Sequence, residues 1–395
     1  MQYREIPKTG DKISAIGYGC MRLPTRAGRI DEKKAEAQIK YALENGVNYF
    51  DTALPYHNGE SEKFLGKVFE GDLRSQVKLA TKLPPWRVKT REDMDRILSE
   101  QLASLRTDYI DYYLIHGIQD KFEWDRMVKL GVLDFLTEAK TKGLIKNVGF
   151  SYHADKNSFN EIIDAYDWAF CQIQYSYLDE NNQAGKAGLE YAASKNIAVF
   201  IMEPLRGGML VGKLPKKVQS IYDKAGTRSS ADWAISWVLN HKEVTCVLSG
   251  MNVDEHIQEN IEIAKKALPG SLSKEEVNLI ESVKNKFEEL MKVPCTGCAY
   301  CMPCPAGVNI PACFEQLNNK SYFGLLNAKG MYMMQTAGLM SEKTSKASQC
   351  IDCGKCERHC PQHIEIRKDL KQVSKELEAF YDPALVWVAR KFLND

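Results

Sequence analysis

No apolar run in this 395-residue sequence approaches the ~20 residues that a helix needs to cross a bilayer. Long basic runs are missing too. The 53 Lys and Arg face 52 Asp and Glu, a net charge of +1, so the composition argues against nucleic acid or an anionic membrane as partner. The opening residues, MQYREIPKTGDK, are charged and lack the apolar core of a signal peptide, so the expected location is cytoplasmic. Nor does a Gly-x-Gly-x-x-Gly fingerprint follow any strand-like run, which argues against a Rossmann cofactor site.

What is present divides into two parts. At 44% hydrophobic and 27% charged, the chain has the composition of a protein with substantial cores. Its length suits about two to three domains. From about 46 to 251 short β-rich runs alternate with longer stretches of helical spacing. The strand-like runs are VNYFDT (47–52), VKLATKL (77–83), IDYYLIH (110–116), IKNVGFS (145–151), FCQIQYS (170–176), AVFIMEPL (198–205) and TCVLSG (245–250). An earlier run, ISAIGYGCM (13–21), makes eight. Stretches such as 31–46 and 91–105 carry apolar residues every three or four positions over polar faces. Eight β/α units in roughly 250 residues predict a closed (β/α)8 TIM barrel, with an open doubly wound sheet as the competitor. An amphipathic helix follows at about 272–291, and the remainder holds most of the cysteines and a final apolar segment at 384–392.

In such a barrel the chemistry sits at the carboxyl ends of the strands. Asp51 in YFDTALPY, Tyr56 five residues on, Lys82 in LATKLP and His116 in YYLIHG stand there. Each alone has a structural explanation: a turn cap, a loop aromatic, a solvated strand end, a core histidine. At successive strand ends they make a proton-donor group. Reducing a carbonyl by hydride leaves an alkoxide that must take a proton. Tyr56 is the expected donor, its pKa of about 10 lowered by the Lys82 ammonium, which Asp51 would orient. His116 would hydrogen-bond the carbonyl oxygen.

The YFDTA…Y…TK…IH series resembles the Asp-Tyr-Lys-His tetrad of the aldo-keto reductase superfamily, over the first ~270 residues. The resemblance implies a nicotinamide dinucleotide, NADP or NAD, extended along the barrel mouth, and a small carbonyl or alcohol substrate. It places Gly19, Cys20 and Met21 beside the nicotinamide, and Ser151 and Gln174 on its carboxamide. Met202, Pro204, Leu205 and Gly207 would run under the nicotinamide and along the pyrophosphate, and Ser249, Gly250, Met251, Glu259 and Asn260 along the adenosine end. Three positions depart from the family pattern. Tyr152, with His153 beside it, stands where an Asn is usual, and Met202 where a stacking Tyr is frequent. Gly250 and His256 stand where many NADP-dependent members carry Lys and Arg, so NAD is expected at least as much as NADP. Arg206 and Arg228 are the other cations within reach of a phosphate. Pro84, Pro85 and Trp86 are candidates for an apolar pocket wall.

Twelve cysteines complete the picture, eight of them in two tight runs. In a reducing compartment clustered cysteines read as metal ligands before disulfides. CIDCGKCERHCP (350–361) has the C-x2-C-x2-C-x3-C-P spacing of 4Fe-4S ligation, and CTGCAYCMPCP (295–305) is one residue shorter before its last cysteine. Zinc is the rival. By the ferredoxin pattern one cluster takes Cys295, Cys298, Cys301 and Cys360, and the other takes Cys350, Cys353, Cys356 and Cys304. Cys313 falls outside the spacing and is expected as a packed thiol. The whole therefore resembles the aldo-keto reductase branch with a C-terminal ferredoxin-like domain: a barrel over 1–272, a helical linker over 273–294, and a small, mainly helical iron–sulfur domain over 295–395 with a C-terminal helix. The leading expectation is a nicotinamide-dependent carbonyl reductase or alcohol dehydrogenase carrying two 4Fe-4S clusters. The alternatives are an electron-transfer enzyme served by a partner such as ferredoxin, and a non-catalytic regulatory or sensor protein.

Overall fold

The computed structural model describes residues 1–379 except 155, 209, 213, 296, 298–300, 339–342 and 361–363. Cys298 and the expected helix at 384–392 lie outside the described residues. Contacts divide the chain into two units. One is Met1–Leu210 with Arg228–Val277; the other is Val211–Thr227 with the chain from Asn278 onward. Among the described residues no helix is long and apolar enough to cross a membrane.

The first unit is built on eight parallel strands: β1 (Ile16–Gly19), β2 (Tyr49–Asp51), β3 (Lys78–Leu83), β4 (Ile110–Ile118), β5 (Ile145–Tyr152), β6 (Phe170–Gln174), β7 (Ala198–Met202) and β8 (Val244–Ser249). Each pairs with the next, and β8 returns to β1 through Ser249 opposite Tyr18, closing the barrel. All eight expected runs contribute a strand, so the open sheet is excluded. Most strands are shorter than the apolar runs, but β4 and β5 continue past the ends of theirs. The 13–21 run is divided: Lys12–Ser14 pairs with Tyr3–Glu5 as an antiparallel hairpin, and only Ile16–Gly19 joins the barrel. The Ser14 hydroxyl donates to the Ile16 carbonyl (2.7 Å), turning the chain between the two.

Aromatic rings fill the barrel interior. Tyr49 meets Tyr112 and Phe200 at 5.2 and 4.7 Å, and Phe170 meets Tyr112 and Phe200 at 5.1 and 5.2 Å. Ile6 and Ile13 of the hairpin join this core at the amino ends of the strands. Beside them Arg4 donates to the carbonyls of Leu239 (2.6 Å), His241 (3.4 Å) and Val244. Tyr112 donates to Asp11 (2.9 Å), which also pairs with Lys78.

Three crossover helices matter for the site: α1 (Glu32–Glu44), α2 (Glu60–Val68) and α3 (Arg91–Ser104). In α1, Asp31 caps by accepting from the Lys34 amide, and Ala35, Gln38, Ile39 and Ala42 form the buried stripe. A Thr90–Asp93 capping box starts α3, which buries Met94, Ile97, Leu98 and Gln101. Gly66 lets α2 lie directly on the end of α3: a methyl there would stand 2.3 Å from the Ser104 carbonyl oxygen and 2.8 Å from Leu105 C.

In the second unit, helices Ile310–Phe323 and Leu325–Thr336 meet across Gly324. Helix Ile366–Leu377 contributes Ile366, Leu370, Val373 and Leu377, spaced four, three and four apart, to a core with Val308, Phe314, Leu317 and Tyr332. Cys313 is fully buried in that core, as a packed thiol.

Gly66→Ala tests the α2–α3 contact. Helix propensity alone favours Ala by ~1 kcal/mol. The contact with backbone outweighs this, so the variant should lose about 1–3 kcal/mol, read as a lower urea midpoint.

Candidate active site

Asp51 ends β2, Lys82 is the fifth residue of β3, and His116 lies in the last part of β4. Tyr56 opens a short turn after β2 in which His57, Asn58 and Gly59 all take left-handed backbone angles (φ 52°, 54° and 86°). Gly accepts this conformation readily; His57 and Asn58 hold it at a cost. The His57 ring fastens the turn by accepting the Leu23 amide (3.1 Å).

The four residues converge. Lys82, 1% exposed, donates through Nζ to Asp51 Oδ1 (2.6 Å), the Thr52 carbonyl (2.7 Å) and the Tyr56 hydroxyl (3.4 Å). Three acceptors around one nitrogen require an ammonium. Burial works against that charge, but Asp51, with Tyr56, overrides it and holds the Lys82 pKa above its ordinary value. The expected lowering of Tyr56 is corrected here. Burial raises its pKa and Asp51 adds to the rise; Lys82 pulls it back without cancelling the shift. Tyr56 is therefore a protonated phenol at neutral pH, suited to give a proton. The His116 ring stands 6.1 Å from that of Tyr56, centroid to centroid. Burial, then Lys82, then His153 drive its pKa well down, so the imidazole is neutral and offers a single N–H. Its Nδ1 is buried without a hydrogen-bond partner. Trp86, half-exposed, lies 5.2 Å from the His116 ring.

The residues expected on a cofactor lie at or just after the carboxyl ends of β1, β5, β6, β7 and β8, with Glu259 and Asn260 in the helix that follows β8. Ser151 Oγ accepts the Gly117 amide (2.7 Å), and Gln174 Oε1 accepts from Gln183 (2.9 Å), leaving the Gln174 amide nitrogen as a donor. Asn260 donates to Ser249 Oγ (3.0 Å), and the Met251 carbonyl accepts from Tyr18 (2.7 Å). Met21 is exposed, Pro204 is buried, and Met202, Leu205 and Glu259 are half-buried. Cys20 differs: its thiol is fully buried against the Tyr18 carbonyl. Tyr152 is buried too, and shares a hydrogen bond with Ser158 (2.8 Å).

The cations considered for a phosphate are already paired. Arg206 forms a two-pronged ion pair with buried Asp179 (2.6 and 3.0 Å), and Arg228 bonds Asp232 (2.9 Å) and Glu276 (2.7 Å). Sequence reading missed Arg22. Its guanidinium donates to the Gly207 carbonyl (2.6 Å), and its stem lies 3.4 Å from where a Gly250 side chain would begin. It thus joins two segments expected along the dinucleotide. Its place one residue after Gly19-Cys20-Met21 was the available signal.

In the second unit, Cys295, Cys301, Cys304, Cys350, Cys356 and Cys360 pack against one apolar core, while Cys353 is exposed. The donor chemistry suits iron–sulfur clusters. Among the described residues, however, no three His, Cys, Asp or Glu are arranged to hold a metal ion, and Cys298 is not among them.

A closed parallel barrel with this ammonium-centred group at its carboxyl face defines an oxidoreductase of the non-Rossmann kind. The aldo/keto reductase family model matches residues 15–285, and the chain belongs to that family. A 4Fe-4S dicluster domain model matches residues 294–365. An L-galactose dehydrogenase of Arabidopsis thaliana is 25% identical, over 73% of this chain and 96% of its own length. A methylglyoxal reductase of Escherichia coli, YeaE, is 26% identical, over 68% and 92%. Among solved structures, the holo form of the aldo-keto reductase AKR11C1 from Bacillus halodurans superposes with a TM-score of 0.61 at 25% identity, over 72% of this chain and 96% of that one.

His153 allows a test of the site's electrostatics. Burial lowers its pKa to about 4, against the opposing effect of Gln183. An unfolded His titrates near 6.5, so below that pH the unfolded chain binds the extra proton and folding weakens. This contribution is complete above about pH 6.5 and is lost as pH falls toward 4. Between pH 7 and 4.5 wild type should lose on the order of 2–3 kcal/mol more than His153→Gln, read from urea unfolding at the two pH values.

Proposed function

We propose that the barrel reduces a small carbonyl compound to an alcohol, or catalyses the reverse, using a nicotinamide dinucleotide. The observation that carries this reading is the Lys82 ammonium shared by Asp51, Thr52 and Tyr56. When bound, the dinucleotide supplies the hydride. Tyr56 gives its hydroxyl proton to the substrate oxygen, and the adjacent ammonium stabilises the phenolate left behind. Neutral His116 donates a hydrogen bond to the same oxygen, orienting it without competing as an acid. Ser151 and Gln174 would hold the carboxamide. Trp86 supplies an apolar wall that excludes water from one side. The dehydrogenase and methylglyoxal reductase relatives act on oxygenated small molecules, which supports methylglyoxal, glyceraldehyde and simple aldehydes as the test panel.

For the adenosine end, Gly250 and exposed His256 offer no fixed cation for a 2′-phosphate. NADH or dual use follows, with Arg22 as the cation nearest Gly250. The dicluster match favours a second reading, in which the C-terminal unit exchanges single electrons with a ferredoxin-type partner. A hydride carries an electron pair and a cluster accepts one electron, so hydride transfer in the barrel does not require the clusters.

Turnover of the panel with NADH and NADPH, alongside fluorescence titration of both, tests the reading. Tyr56→Phe should bind cofactor normally and lose about 10²–10⁴-fold in turnover; near wild-type rates would remove Tyr56 as the donor. Protein prepared without oxygen should carry about eight irons and eight sulfides, and Cys353→Ala about half of them, with most carbonyl reduction retained. Zinc in place of iron would remove the cluster assignment.

A further inference from the structure

We propose that Glu62 is a positioning residue for Lys82, fixing its backbone and supplying a negative charge that keeps the Lys82 ammonium and the Tyr56 hydroxyl protonated. The inference rests on the reading that Tyr56 donates the proton.

Glu62 lies in the first turn of α2 and is 1% exposed. Its Oε1 accepts from the Thr81 hydroxyl (2.5 Å) and from the Gln101 amide of α3 (2.8 Å). The same Gln101 nitrogen donates to the Lys82 carbonyl (2.9 Å). Gln101 is kept from turning because its oxygen accepts from Tyr113 (2.8 Å). Thr81 and Lys82 are consecutive in β3, so their side chains face opposite sides of the barrel wall. Lys82 points into the site, and Thr81 and Glu62 brace it from behind. Ser61, the neighbour of Glu62, accepts from the Thr52 hydroxyl (2.8 Å), and the Thr52 carbonyl receives the ammonium. One turn of α2 thus holds Lys82 from both sides.

The bracing needs an acceptor, but it does not need a charge. A Gln at 62 could accept the same two hydrogen bonds, and a buried carboxyl without an ionic partner is costly. Among the described residues Glu62 makes no ion pair. Burial raises its pKa, Thr81 and Gln101 oppose the rise, and Lys82 is the charged group that favours its ionised form. The remaining titratable neighbour, Tyr113 of β4, is itself pushed far up and is neutral. The charge of Glu62 therefore acts mainly on Lys82, and through it on Tyr56.

The sign follows. Removing a negative charge lets both Lys82 and Tyr56 lose their protons at lower pH. The upper limb of the kcat/KM profile for carbonyl reduction, measured with the best carbonyl of the panel on the full chain, should move down. The expected shift in Glu62→Gln is about half a pH unit or more, with little change in KM or melting temperature and a return toward wild type in Glu62→Asp. Thr81→Val breaks the bracing bond to Glu62 and leaves the carboxylate in place, so its upper limb should stay at the wild-type pH. A folded Glu62→Gln whose upper limb stays at the wild-type pH or moves up, or a folded Thr81→Val whose limb moves down as far as that of Glu62→Gln, overturns the charge role of Glu62. No panel turnover, no upper limb in wild type, or full turnover in Tyr56→Phe instead removes the reading of Tyr56 on which it rests.

Discussion

A buried ammonium organises the carboxyl face of this barrel. Removing Lys82 from water is unfavourable by several kcal/mol, and only a close anion with further acceptors offsets it. Asp51, the Thr52 carbonyl and the Tyr56 hydroxyl supply them, within 2.6–3.4 Å. These partners come from β2 and the turn after it, so pairing of β2 with β3 must be in register: Asp51 stands opposite Ala80, two residues before Lys82. A one-residue slip would turn Lys82 outward and strand Asp51 in the core. The catalytic geometry and the stability of this edge of the barrel are thus the same requirement.

Much of this is legible in the sequence. Eight apolar runs separated by helical periodicity led directly to the closed barrel, and polar residues at the ends of successive runs marked the tetrad. What was not legible has physical causes. The 13–21 run divides because the Ser14 hydroxyl satisfies the Ile16 carbonyl, a local bond that apolar patterning does not register. Arg22 escaped notice because its partner, the Gly207 carbonyl, lies 185 residues away. Glu62 lies outside the strand-end pattern, and its burial against Thr81 of β3 and Gln101 of α3 depends on tertiary packing. The direction of the Tyr56 shift was misjudged because a neighbouring cation can be read from sequence, whereas the depth of burial that outweighs it cannot. In the second unit the cysteine spacing spoke clearly, but spacing names ligands without arranging them. The described residues place six of these thiols against one core and leave Cys353 at the surface.

The two units rest on different physics. In the barrel, interlocking aromatic rings and hydrogen-bonded strands give a rigid frame, and the site is assembled from strand ends that the frame fixes. The second unit buries a small core of helices, with the cysteines around its margin. A small core contributes limited stability of its own. Metal binding of the kind its donor set suits contributes to folding as well as to chemistry.

The Arg4 contacts have a consequence for how the chain is made. Arg4 is synthesised more than 230 residues before its acceptors, Leu239, His241 and Val244, which come from the last β/α unit. Until those carbonyls leave the ribosome, the guanidinium has no buried partner and the hairpin has no floor to seal. The barrel therefore gains its last long-range contacts only after β8 appears, and the growing chain must keep seven strands' worth of apolar surface from pairing elsewhere until then.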